Sequence, residues 1–240
     1  MQSKTISTPF GDYFIVERRY NGRPARLLMS DHEVPQSGLA LDDEPDQLFM
    51  YSQRFMEVAL SVQPSRVLVI GGGGFTVPSA LARQLGVIVD AVEINPTLPE
   101  VARDYFDIAT PEEGLTVHVA DGASYISSTN EQYDLIVVDA FSHRTIPETL
   151  ISDEAMQSYA RILLDDGVLA FNCISRYHTT ADTVLKRLLN AVDTTFSWSA
   201  VYPAEYGFDK RSDQNLIVLA SRDKQPSLDY LQSVEVTPFR

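Results

Sequence analysis

One stretch constrains this chain more than any other. The apolar run Val67-Leu68-Val69-Ile70 passes straight into Gly71-Gly72-Gly73-Gly74. A run with no polar residue has no solvated face, so it predicts a strand covered on both sides, as in parallel sheets. Glycine after such a strand lets the backbone turn sharply and lets a ligand approach without a Cβ in the way. A helical stretch to about Leu85 follows, and its first turn adds N–H donors and positive partial charge beside the glycines. The next apolar run, Val87 to Val92, ends in Glu93. There a carboxylate can accept hydrogen bonds from two ribose hydroxyls. Strand, glycine turn, helix, strand and acid, in that order, predict a nucleoside site.

The same alternation continues. Leu115 to Val119, Leu135 to Val138 and Gly167 to Phe171 read as strands. Helices are expected after Pro96, from about Asp153 to Leu164 behind a Ser152 cap, and from about Ala181 to Val192. This pattern predicts an α/β fold with a doubly wound parallel sheet. The last two runs, Phe196 to Tyr202 and Asn215 to Ala220, have no helix between them and predict a hairpin with an antiparallel edge.

Residues 1–46 read differently. Lys4 to Ser7, Tyr13 to Arg18 and Ala25 to Met29 alternate apolar with polar residues. Thr8-Pro9-Phe10-Gly11 and Asn21-Gly22 are turn signals between them. The expected organisation is a small N-terminal β unit over residues 1–46 and a main domain over 47–240. Asp46 is the expected cap of a helix running to about Leu60.

Composition narrows the partners. Asp plus Glu number 33 against 19 Lys plus Arg, a formal charge of −14. No nucleic acid partner is expected of so acidic a chain, because phosphate contacts need Lys and Arg. The acidic group Asp42, Asp43, Glu44 and Asp46 reads as a solvated loop or as an attractor of a cationic amine. The single Cys173 excludes an internal disulfide framework. No two of His32, His118, His143 and His178 stand at helical ligand spacing, so no metal is expected. No stretch reaches the ~18 apolar residues a membrane span needs. Without an apolar leader and with one thiol, a cytoplasmic protein is expected.

Two nucleoside classes compete for the glycine turn. A dinucleotide site wants G-x-G-x-x-G, and Thr76 stands where the third glycine would be. An adenosyl sulfonium site wants a looser turn, an acid after the second strand, and another after the third for the adenine amine. Glu93 and Asp121, followed by Gly122, meet that pattern. Asp139 ends the fourth strand, where open α/β sheets place reactive groups. His143 lies in the loop beyond it, where an imidazole could act as a proton acceptor near neutral pH. Glu205, between Tyr202 and Tyr206, suits a segment that covers a cationic acceptor.

In these motifs the chain resembles the spermidine synthase family, the polyamine aminopropyltransferases, and within it a divergent spermidine synthase-like branch. The resemblance rests on the glycine run, Val92-Glu93-Ile94-Asn95, Ala120-Asp121-Gly122 and Val137-Val138-Asp139. A weaker match lies upstream in Gln36-Ser37-Gly38, Leu41-Asp42-Asp43 and Tyr51. It implies a class I methyltransferase-like Rossmann domain with an N-terminal β unit, and homodimers or tetramers are common in such a family. The implied donor is S-adenosylmethionine or its decarboxylated form, and the implied acceptor is a small-molecule amine. Gly71 and Gly73 would pass close to the donor's tail. Gln36 and Tyr51 would line the donor or acceptor pocket, and Asp139 would help the attacking amine lose its proton. Three positions depart from the family pattern. Gly74 replaces the Asp that binds the ammonium of an aminopropyl tail. Phe75 replaces a glycine. Ser142 replaces the second Asp that grips a diamine. Gly74 also removes a charge that would repel the carboxylate of intact S-adenosylmethionine, so methyl transfer stands beside aminopropyl transfer as an alternative. A non-catalytic adenosyl-binding protein and an NAD enzyme are the further readings.

Overall fold

Four strands open the chain: β1 (Ser3–Thr8), β2 (Gly11–Tyr20), β3 (Arg23–Met29) and β4 (Pro35–Ala40). They form an antiparallel sheet in that order. Asn21 and Gly22 turn β2 into β3 with φ of 49° and 83°, the left-handed pair that an Asn-Gly turn supplies. The fourth strand was not legible, because Pro-Gln-Ser-Gly-Leu-Ala shows no clean alternation. The computed structural model describes residues 3–30, 35–43, 47–142, 145–176, 183–205 and 212–222. Asp46, the expected helix cap, lies outside these residues. Helix α1 (Met50–Val62) begins behind Phe49, which makes no side-chain cap bond.

The main sheet alternates with helices: β5 (Arg66–Ile70), α2 (Thr76–Leu85), β6 (Ile88–Glu93), α3 (Leu98–Tyr105), β7 (Leu115–Val119), α4 (Gly122–Ser128) and β8 (Tyr133–Val138). Then come α5 (Asp153–Ile162), β9 (Leu163–Ser175), α6 (Val184–Asp193), β10 (Trp198–Pro203) and β11 (Gln214–Ser221). Ser152 caps α5 by accepting a hydrogen bond from the Ala155 N–H at 3.2 Å. The spatial order is β10-β11-β9-β8-β5-β6-β7. Strands β7, β6, β5, β8 and β9 are parallel neighbours. Strand β11 runs against β9 and against β10, which makes the terminal hairpin. From β5 the chain crosses to β6 on one side and later to β8 on the other. The strand order therefore reverses at the β5/β8 seam, and a crevice opens above the carboxyl ends there.

Alternate residues of each buried strand serve opposite faces. Val67, Val69, Val137 and Ala170 join residues of α1, α2 and α3 in one core. Leu68, Ile70, Val138 and Phe171 join residues of α4, α5 and α6 in the other. Ile15 and Leu28 of the N-terminal sheet belong to the first core. That sheet therefore shares apolar packing with the main domain, beside a small cluster of its own around Leu27, Leu48 and Phe49.

Candidate functional site

The glycine turn is held from two directions. From below, the Glu93 carboxylate accepts the Gly72 N–H at 2.8 Å and the Gly73 N–H at 3.0 Å. Its other oxygen accepts the Asn95 N–H at 2.8 Å. From the N-terminal sheet, Ser37 Oγ accepts the Gly74 N–H at 2.8 Å. Gly71 and Gly73 have φ of 99° and 52°, conformations that favour glycine. A Cβ on Gly71 would overlap the Asp139 carbonyl, and one on Gly73 would stand 2.6 Å from Ser37 Oγ. The close approach these glycines permit is thus between parts of the chain as well as toward a ligand. Phe75 is left-handed at φ 57°, and its fully buried ring lies where a Gly72 side chain would go.

Asp139 follows β8 directly at the seam. Its N–H donates to the Ile70 carbonyl at 2.8 Å, which pins it beside Gly71. Asn172 Nδ2 donates to its carboxylate at 2.9 Å from the neighbouring strand β9. Burial raises the Asp139 carboxyl from its ordinary 3.8 to about 6, and the Asn172 hydrogen bond pulls the other way. The Tyr51 hydroxyl on α1 is held well above its usual range, first by burial and then by the charge of Asp139. Tyr51 stacks on Phe49 with ring centroids 5.7 Å apart, and Phe49 meets Tyr20 edge-on at 5.1 Å. Burial, with the charge of Glu205 next, also raises Tyr20. The Tyr20, Phe49 and Tyr51 rings thus form a contiguous aromatic group, with Tyr51 near enough to Asp139 and Tyr20 near enough to Glu205 to feel their charges.

The other expected residues fall into place unevenly. Asp121 caps α4: its carboxylate accepts the Ser124 N–H at 2.8 Å and stands exposed. Ala120 N–H donates to the Glu93 carbonyl at 3.0 Å, so Asp121 and Ile94 start from adjacent strand ends. Ile94 is 47% exposed, an apolar surface between the two acids. At Gly122 a Cβ would stand 2.6 Å from Ile70 and 3.3 Å from Leu150, so packing already requires glycine there. The Gln36 side chain donates to Ser30 Oγ at 2.9 Å and is not bonded to the glycine turn. Its neighbour Ser37 reaches that turn instead. Ser142 is exposed and pairs through its backbone with Thr145 at 2.9 Å. His143, His32 and His178 lie outside the described residues. His118 is satisfied by the buried Asp90, 2.8 Å away. Asp42 is engaged by Arg23 at 2.5 Å, which leaves less of the acidic loop for an external cation. Among the described residues no group of three or more His, Cys, Asp or Glu is arranged to hold a metal.

The spermine/spermidine synthase domain model matches residues 48–204, well over half of the chain. The chain belongs to this family. It is 34% identical over 175 residues to a polyamine aminopropyltransferase of Chromobacterium violaceum, covering 70% of this chain and 65% of that one. It is 38% identical over 117 residues to one of Vibrio vulnificus, covering 47% of this chain and 39% of that one. The chain thus spans less than two thirds of either curated relative. A probable spermidine synthase from Corynebacterium glutamicum superposes with a TM-score of 0.77 at 21% identity, over 92% of this chain and 80% of that chain. Human methyltransferase-like protein 13, solved with SAH, superposes with a TM-score of 0.62 at 23% identity, over 77% and 91%. These likenesses establish a methyltransferase-type fold.

Within the spermine/spermidine synthase family frame, Gly74 is the departure with the clearest structural consequence. A Cβ there would stand 2.9 Å from Ser37 Cβ and 3.2 Å from the Phe106 ring. Ser37 and Phe106 fill the space beside Gly74, so no longer side chain fits without displacing them. Sequence reasoning gave no role to Ser37 or Asn172. Asn172 had one signal: a lone polar residue in the apolar run from Val168 to Cys173, level with Asp139 across the sheet.

Proposed function

We propose that this protein is an S-adenosyl-dependent alkyl transferase acting on an amine, with aminopropyl transfer as the family chemistry and Asp139 as the base. The observation that carries the reading is a desolvated carboxylate at the carboxyl end of β8, beside the glycine turn and tied to Asn172. The site suits an adenosyl donor on its acceptor set. Glu93, with two backbone N–H groups on one oxygen and one on the other, keeps acceptor capacity on the second oxygen for a ribose hydroxyl. Asp121 offers a carboxylate oxygen to the adenine amine, and Ile94 offers an exposed apolar face. A sulfonium donor supplies an electrophilic carbon and a neutral thioether leaving group.

The remaining work falls to the chain. An amine arrives as an ammonium and has no lone pair to attack with. Asp139, ionised, takes one ammonium proton and becomes neutral. The freed lone pair forms the nitrogen–carbon bond while the carbon–sulfur pair stays on sulfur. The carboxyl then returns its proton to water. Tyr51, stacked on Phe49 and near Asp139, would bound the space open to the acceptor.

Methyl transfer from intact S-adenosylmethionine is the second reading, and Gly74 with its filled surroundings favours it. A decarboxylated donor would find no carboxylate at position 74 for its tail ammonium. Calorimetric titration with both donors separates the readings. Tighter binding of the decarboxylated donor supports aminopropyl transfer. Tighter binding of the intact donor moves the assignment to methyl transfer. Binding of neither overturns the adenosyl reading.

A further inference from the structure

Asn172 is 1% exposed and lies on β9, where Val138 pairs with Phe171 and Asp139 therefore stands level with Asn172. Its amide nitrogen donates to Asp139 at 2.9 Å. Its amide oxygen is buried and finds no hydrogen-bond partner among the described residues. A buried acceptor left unpaired costs about 1–3 kcal/mol. Turning the amide over would not remove that cost. It would set two oxygens against each other and take the donor away from a carboxylate with little water around it. The orientation is therefore decided by what Asp139 needs, not by the satisfaction of Asn172 itself.

The other groups that face Asp139 do not supply this donor. From α1 comes the Tyr51 hydroxyl, which points its hydrogen bond toward the Gln36 carbonyl at 3.5 Å. From the β5 turn, Gly71 approaches the backbone carbonyl of Asp139, not its carboxylate. Neither is a cation. Asn172 is the one described side chain that donates to this carboxylate.

We propose that Asn172 is the positioning residue of the site: its amide N–H holds one oxygen of Asp139 in the ionised form and so fixes which oxygen faces the acceptor. This rests on Asp139 being the base, and it gives a neutral residue the task of keeping a buried carboxylate ready. A carboxylate at 172 could not do this, because two acids in contact cannot both ionise freely. An aliphatic residue could not either, since it has no donor.

The test reads Asp139 directly in the ligand-free 240-residue chain. The carbon-13 signal of its carboxyl, assigned by its disappearance in Asp139→Asn, is followed against pH. In the wild type the midpoint is expected near 6. In Asn172→Leu it should rise by about one unit, the size of one hydrogen bond to a charged group. In Asn172→Asp, which is nearly isosteric, the pair should titrate in two steps with the upper one above the wild-type midpoint. A purely structural asparagine would leave the midpoint in place in any variant that folds. An unchanged midpoint in Asn172→Leu, or, should that variant not fold, a single unshifted step in Asn172→Asp, overturns the proposal. Failure of the wild type to bind either donor would sink the transferase reading without moving this titration, so the two failures are distinguishable.

Discussion

A carboxylate is costly to ionise once it loses water, and Asp139, the proposed base, is buried in this way. Its folded-state value near 6 lies above the ordinary 3.8. The folded chain therefore holds this proton more tightly than the unfolded chain does. Ionised Asp139 costs stability above about pH 6 and costs nothing once both states are protonated below the ordinary value. Asp139→Asn should raise unfolding stability at pH 8 by about 1–3 kcal/mol and leave it unchanged near pH 3, measured by chemical denaturation. The same variant should lose at least about a hundredfold in rate while keeping donor affinity. In the wild type the rate should fall as pH drops through about 6, because only the ionised form accepts a proton. Phe75 shows another balance at single-residue scale. Its left-handed φ of 57° costs about 1–3 kcal/mol, yet its ring is fully buried. Phe75→Gly relieves the strain and forfeits about 3–5 kcal/mol of packing, so a net loss in melting temperature is expected.

At the scale of elements, the site is a loop held rigid by the end of the next strand. Glu93 closes β6 and gathers three backbone N–H groups, from Gly72, Gly73 and Asn95. A carboxylate can serve all three because both of its oxygens accept. Glu93→Gln keeps only one accepting oxygen and brings in an amide NH2 that meets donors. Amide exchange at Gly72 and Gly73 should accelerate at least about tenfold in that variant, while amides in the middle of β5 stay protected. Uniform exchange in both proteins would show that the turn is held by something other than Glu93. The hairpin of β10 and β11 matters to the same loop indirectly. Strand β11 pairs with β9 through Ile217 opposite Asn172, which fixes the strand that presents the amide to Asp139.

Over the whole molecule, the N-terminal sheet is tied to the main domain at and around the glycine turn. Ser37 reaches Gly74, Thr8 accepts from the Asn95 amide at 3.0 Å, and Arg26 donates to the Tyr105 carbonyl at 2.8 Å. Ile15 and Leu28 pack in the same core as Phe55 and Phe75. Calorimetric unfolding should therefore show a single transition, with the calorimetric and van't Hoff enthalpies equal. Two separate transitions would mean that the boundary near residue 46 divides independent folding units.

The sequence by itself was enough for the parallel sheet, the glycine turn and the acids after strands β6, β7 and β8. Those depend on local pattern: apolar runs, turn chemistry and the place of a carboxylate relative to a strand end. The Ser152 cap and the Asn21-Gly22 turn were legible for the same reason. Strand β4 was not, since its residues lack alternation and its pairing with β3 is not local. Only the tertiary structure decided that Ser37, not Gln36, bonds the glycine turn, that Phe106 closes the space beside Gly74, and that Asn172 meets Asp139. Each of these joins residues far apart along the chain, and no period in the sequence records which distant neighbour will fill a given gap.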